Sequence, residues 1–304
     1  MIFFEIITTF RDITLDILPL IIISLVLAAV LAQYFSPRSL DRLIQGTPSR
    51  AVLVSSFFGV FLPATTGCRV PMAAIARKSG AAWAPVLTFI AAGSAAGVST
   101  LIVTLLLGWQ LAVLRIIIAL LSALVLSLVV TKFIEPRFAT AAMDCEVEPL
   151  FDNDFCEYCF EAEDDAPPVL RLSRVWRSLA RGARVVVPWL ALSLLLASLI
   201  EVVVSEETVT ALLGGPLEAP KAALLGLPFY FVFGADVPII YVLLKKGLSL
   251  GGAVAFMLAA PVVNAPVFAI VGRWLGYRRA LVFLALCWLV AAAIGMLFGY
   301  MDAR

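Results

Sequence analysis

No histidine occurs anywhere in the sequence. That removes the commonest general base, proton shuttle and metal ligand together, and leaves little room for an enzyme. Charge is scarce as well. Only 14% of the residues are Asp, Glu, Lys or Arg, the net charge is +1, and nothing in that balance calls for a nucleic-acid partner. Period-2 alternation of apolar and polar residues is almost absent, which argues against an outer-membrane barrel. No ATP-binding motif is present, so an ATP-driven pump is not expected. The five cysteines, Cys68, Cys145, Cys156, Cys159 and Cys287, are odd in number and three share one acidic stretch, unlike an extracellular disulfide framework.

What remains is apolar. Hydrophobic residues make up 62% of the chain and the mean hydropathy is +1.05, far above a soluble domain. The apolar residues fall into eight blocks, at 13–35, 51–78, 81–107, 110–134, 183–204, 220–244, 248–275 and 278–300. Blocks of that length predict an all-α integral membrane protein. The first is too long for a signal-peptide core and no small-residue cleavage site follows it, so it is expected to be retained. A polar stretch, 135–182, separates a first transmembrane repeat (1–134) from a second (183–304). Its arginines place it in the cytoplasm by the positive-inside rule, in a multi-pass protein of the cell membrane.

Eight crossings put Arg77, Lys78, Lys245 and Lys246 inside with this linker, but leave Arg38, Arg42, Arg50, Arg273, Arg278 and Arg279 outside. That poor charge distribution keeps re-entrant hairpins in play for the two central blocks of each half, although four crossings per half are slightly preferred. Parallel repeats would follow from four crossings, and inverted repeats from one hairpin in each half.

The two halves are related. At an offset of 167, "RVPMAAIARKSG" (69–80) lies on "DVPIIYVLLKKG" (236–247), matching Val70 with Val237, Pro71 with Pro238, Lys78 with Lys245 and Gly80 with Gly247. With a slip of one residue, Gly108 faces Gly276. Such a register predicts a tandem duplication, and duplicated halves with interrupted helices are how secondary transporters build a site at the membrane midplane. The interruptions read "PATTGCRVP" and "FGADVP" in the second segment of each half, and "AAGSAAG" and "AAPVVNAP" in the third. Pro71, Pro238, Pro261 and Pro266 mark these breaks and are candidate gating positions.

Arg69 and Asp236 occupy the same position of the two repeats. Charges within hydrocarbon are expensive and mark working sites, so these two are expected to meet about a pseudo-two-fold axis. Protonating Asp236 would then release Arg69. The alternatives are a purely architectural ion pair, or an arginine that reaches the interface along its own stem. Thr65, Thr66, Gly67 and Cys68 precede Arg69 and would cap a half-helix starting near Pro71, favouring an anionic or strongly polar group. Asn264 and Ser94 could bind the same solute or simply satisfy broken backbone. Asp16 lies near a segment end; pairing it with Asp236 as an intramembrane aspartyl enzyme is a remote reading, because "FGADVP" lacks the Gly-x-Gly-Asp pattern. Cys145, Cys156 and Cys159 could hold a soft metal in a metal-sensing scaffold, though a reduced, solvated acidic loop is the simpler reading. No cofactor is expected. The expected partners are a small molecule or ion and the bilayer, with association into a homo-oligomer left open.

"RVPMAAIARKSGAAWAPVLTFIAAGSAAG" and "DVPIIYVLLKKGLSLGGAVAFMLAAPVVNAPVF" resemble the paired signature segments of the predicted permease family that includes the ArsP-type organoarsenical efflux permeases. The resemblance covers most of the chain outside the linker. It implies an eight-segment permease and, for ArsP-type members, export of trivalent organoarsenicals through a cysteine-rich motif before the Val-Pro. Here that stretch reads "ATTGCR", with Cys68 its one thiol. The primary expectation is therefore a permease for a small polar or anionic solute, with arsenical efflux as the alternative.

Overall fold

The computed structural model describes residues 2–31, 48–62, 69, 72–73, 76–77, 80–134, 172–228 and 234–302. These are helical, with no strand among them. In chain order the helices are α1 (Ile2–Leu31), α2 (Pro48–Phe61), α3 (Trp83–Ala96), α4 (Val98–Thr104), α5 (Trp109–Val129), α6 (Leu172–Val203), α7 (Glu206–Leu213), α8 (Glu218–Leu225), α9 (Val237–Lys245), α10 (Leu250–Ala259), α11 (Ala265–Leu275) and α12 (Tyr277–Asp302). Leucines, isoleucines and phenylalanines remain exposed along the outer faces of α1, α5, α6 and α12, as a lipid-facing surface requires. The chain is an all-α membrane protein.

All eight apolar blocks form helix, but they do not all cross. Five segments are long and apolar enough to span a bilayer: Phe3–Leu31, Trp83–Leu107, Trp109–Lys132, Leu172–Val203 and Tyr277–Met301. A sixth crossing is made by α10 and α11 together, which lie antiparallel along the whole of α12. At one end of that pair, a side chain on Gly251 would meet Gly295 O at 2.5 Å and Gly299 Cα at 2.7 Å; at the other, Gly272 abuts Tyr277.

The sixth apolar block instead folds back. Ser249 N donates to Glu218 Oε1 at 2.7 Å, which fixes the start of α8 beside the start of α10. Ala265 N donates to Leu227 O at 2.8 Å, so α8 has reached the α10–α11 break by its last residues. The chain then returns along α9, and by Ser249 it is back beside Glu218. The second block does the same from the other side. Gly59 of α2 packs on Phe89 and Gly93, while Arg69 sits against Gly93 and Gly97 at the end of α3. Arg77 is back at the start of α3, where Nη1 donates to Ala81 O at 2.8 Å and the guanidinium lies 4.9 Å from the Trp83 ring centroid. Both blocks are re-entrant hairpins. The slight preference for four crossings per half gives way to three.

The hairpins enter from opposite ends. The Trp83 ring also receives Arg279 at 5.4 Å, so the first hairpin opens at the end where α12 begins. The second opens where α12 finishes, beside Gly295 and Gly299. This arrangement regroups the basic residues. Arg50, Arg77, Lys132, Arg273, Arg278 and Arg279 now lie at the end that carries the linker and the start of α6, whereas Lys221, Lys245 and Lys246 lie at the other. The helix expected from 183 is longer than that: α6 starts at Leu172 and takes up the last part of the polar stretch.

Candidate functional site

Two helices break at mid-depth, and each break strands carbonyls at the end of a half-helix. Gly97 interrupts the third block with an extended backbone (φ −60°, ψ 149°), ending α3 and starting α4. Residues 260–264 interrupt the seventh block between α10 and α11. Carbonyls left unpaired in hydrocarbon are strongly unfavourable, and the C-terminal end of a helix attracts a cation. Arg115 of α5, fully buried, answers both demands. Its Nε donates to Ala95 O at 2.7 Å in the last turn of α3, and its Nη2 reaches Met257 O at 3.5 Å in the last turn of α10. Nη1 donates to Thr104 Oγ1 at 3.1 Å, and that hydroxyl donates onward to Thr100 O at 2.7 Å.

The same guanidinium holds the buried carboxylate. Arg115 Nη2 lies 2.6 Å from Asp236 Oδ2, with both side chains out of contact with the surroundings. Asp236 precedes the first turn of α9, whose second residue is Pro238, at the tip of the second hairpin. The tip is anchored by Ser193 of α6, whose hydroxyl donates to Ala235 O. It presses on the first half: Gly234 (φ 85°) lies so close to α4 that a side chain there would meet Val103 Cβ at 2.8 Å, so glycine is required by both space and backbone conformation. Arg115 thus joins α3, α4, α9 and α10 through one side chain. The expected Arg69–Asp236 pair is not what forms; among the described residues the cation on Asp236 is Arg115.

Arg69 is buried too, and it serves its own half. Nη2 donates to Leu62 O at 2.9 Å and to Gly59 O at 3.3 Å, capping the end of α2. Its guanidinium fills the space left by two absent side chains. A methyl group on Gly97 would lie 2.9 Å from Nη2, and one on Gly93 would collide with Nε and Cζ. Two buried guanidiniums and one buried carboxylate therefore meet around the breaks, among the described residues.

The other expected positions divide. Asn264 is spent locally: Oδ1 accepts from Val267 N at 2.8 Å and Nδ2 donates to Ala260 O at 2.9 Å, so it caps α11 and closes the break. Pro261 lies in that break and Pro266 in the first turn of α11. Ser94 is buried in the last turn of α3. Asp16 is exposed on α1 while Asp236 is engaged by Arg115, which gives no support to an aspartyl dyad. Thr65, Thr66, Cys68 and Pro71, and the linker cysteines Cys145, Cys156 and Cys159, lie outside the described residues. Among the described residues no cluster of His, Cys, Asp and Glu is arranged to hold a metal.

Arg115 went unnoticed in the sequence although the signal was there. It is the one charge between Trp109 and Lys132, in a segment otherwise fit for hydrocarbon.

Buried charges gathered around two broken helices, inside an apolar helical bundle, fit a polytopic membrane transport protein. The chain belongs to the predicted permease family ArsP_1, whose match runs over residues 2–300. It is also similar to the UPF0718 protein MJ0584 of Methanocaldococcus jannaschii, 27% identical over 118 residues, which is 38% of this chain and 32% of that protein. The chain thus covers about a third of that relative's length. No solved structure matches it.

Proposed function

We propose that this permease moves a small anionic solute through the region where Arg69, Arg115 and Asp236 surround the two helix breaks, and that Arg115 is its charged contact. The observation that carries this is the position of Arg115: a fully buried guanidinium that bonds the ends of both half-helices and holds Asp236 at 2.6 Å inside an apolar bundle, where a charge marks a working site. An arriving oxyanion or carboxylate competes with Asp236 for the Arg115 fork, whose planar donors suit either group. Release of Asp236 frees the tip of the second hairpin from the first half. Protonation of Asp236 has the same effect, so coupling to protons is the natural energetics for a chain without an ATP-binding motif. The end bearing the linker, α6's arginines and Arg273–Arg279 faces the cytoplasm of the cell membrane; a cysteine placed at Arg177 should react with an impermeant maleimide only in opened cells.

The test is transport by cells or vesicles carrying wild type, Arg115→Lys, Arg115→Gln and Cys68→Ser, across oxyanions, small carboxylates and trivalent organoarsenicals. Loss of anion flux in both Arg115 variants, with Cys68→Ser unaffected, is the expected result. Normal anion flux in a folded Arg115→Gln protein would refute the reading. Arsenical resistance that depends on Cys68 and not on Arg115 would install the efflux alternative in its place.

A further inference from the structure

α6 is longer than a bilayer requires. Its 32 residues make about 48 Å of helix, against about 30 Å of hydrocarbon, so about 18 Å must project. The projection is at its start. Residues 185–200 carry no charge, whereas Arg174, Arg177, Arg181 and Arg184 recur every three or four residues before them.

The outward face of the helix runs unbroken from one region into the other. Val187, Leu192, Leu195, Leu199 and Val203 are exposed along the apolar part, at the depth of the acyl chains. Towards the start the same face continues through Arg184, Ala180, Arg177, Trp176 and Leu172, all exposed, with Trp176 at 71% and Leu172 at 83%. Arg177 and Arg184 are seven residues apart, two turns of one stripe, and Trp176 lies beside them. A face that meets acyl chains higher up meets the head groups of those same lipids here. Guanidinium forks match phosphate oxygens in pairs, and tryptophan favours the boundary between hydrocarbon and water.

We propose that the first turns of α6 are a binding site for anionic glycerophospholipid, with Arg177 and Arg184 holding the head-group phosphates and Trp176 and Leu172 resting on the glycerol and upper acyl region. Binding here is independent of the transported solute and of Arg115. It would hold α6, and through Ser193 the tip of the second hairpin, at a fixed depth.

The experiment follows the thermal unfolding midpoint of the full-length chain in a mild neutral detergent, with phosphatidylglycerol, phosphatidylcholine or inorganic phosphate added at equal concentration. Phosphatidylglycerol should raise the midpoint by several degrees, and the other two should not. The double variant Arg177→Gln/Arg184→Gln should lose that rise, and native mass spectrometry should show retained phosphatidylglycerol falling with it. Arg177→Lys/Arg184→Lys, which keeps the charge and removes the fork, should keep a reduced rise and covers the case in which the glutamine variant does not fold. An equal rise with phosphatidylcholine, a rise with inorganic phosphate alone, or a full rise retained in both double variants would overturn the proposal.

Discussion

The two re-entrant hairpins carry opposite charges at matching positions, and they use them differently. Arg69, in the first, turns back on its own half and bonds Gly59 and Leu62 of α2 while lying on Gly93 and Gly97 of α3. Asp236, in the second, reaches across to Arg115, and through it to α3, α4 and α10. One charge closes a half upon itself; the other fastens the two halves together. The helices that neighbour each charge decide what it holds.

Breaking the cross-half contact should do the most damage. Asp236→Asn leaves a fully buried guanidinium without its carboxylate, and removal of one partner from such a pair costs about 3–5 kcal/mol. Chemical or thermal unfolding in detergent should show the loss. Adding Arg115→Met should restore part of the stability and none of the transport; a double variant as unstable as the single one would mean that the carboxylate matters for something other than Arg115. The intra-half contact is next. Arg69→Gln strands the carbonyls at the end of α2, an effect of about 1–3 kcal/mol. Hydrogen exchange should rise in residues 48–62 while α8 and α9 keep their protection, and equal loosening of both hairpins would contradict the division drawn here. The smallest effect belongs to Asn264→Ala, which removes one helix cap for about 1 kcal/mol and should leave solute selection unchanged in a flux assay, because both polar groups of Asn264 bond their own chain.

These assignments also mark what a reader of the sequence can reach. Helices in lipid must be long and apolar, so composition alone exposed the eight blocks and the all-α class. Crossing and folding back look alike in such a count. A hairpin whose two arms each go half-way contains as many apolar residues as one full crossing, and what tells them apart is Glu218 meeting Ser249 in the one and Arg69 lying on Gly93 and Gly97, at the far end of α3 from Arg77, in the other. The misplaced arginines at Arg50 and Arg273–Arg279 were the trace of this in the sequence. The central pair was half legible. The offset of 167 found Asp236 and Arg69, but a symmetry argument cannot find Arg115, because the register that sets Gly108 on Gly276 places Phe283 opposite it. Phe283 is fully buried as well, so the sequence register sets an aromatic core residue against the buried cation.

The glycine bed under Arg69 has a consequence for how this protein can change over generations. The guanidinium occupies the volume that side chains at positions 93 and 97 would take, so a change at either glycine bears on whether the arginine still fits. A lineage that exchanged Arg69 for something small would ease alanine in at Gly97, but not at Gly93, where Gly59 O would still lie 2.6 Å from the added carbon. Once that alanine was in place, the way back to arginine would be closed until it was removed, and the loss of one charge would have become a ratchet.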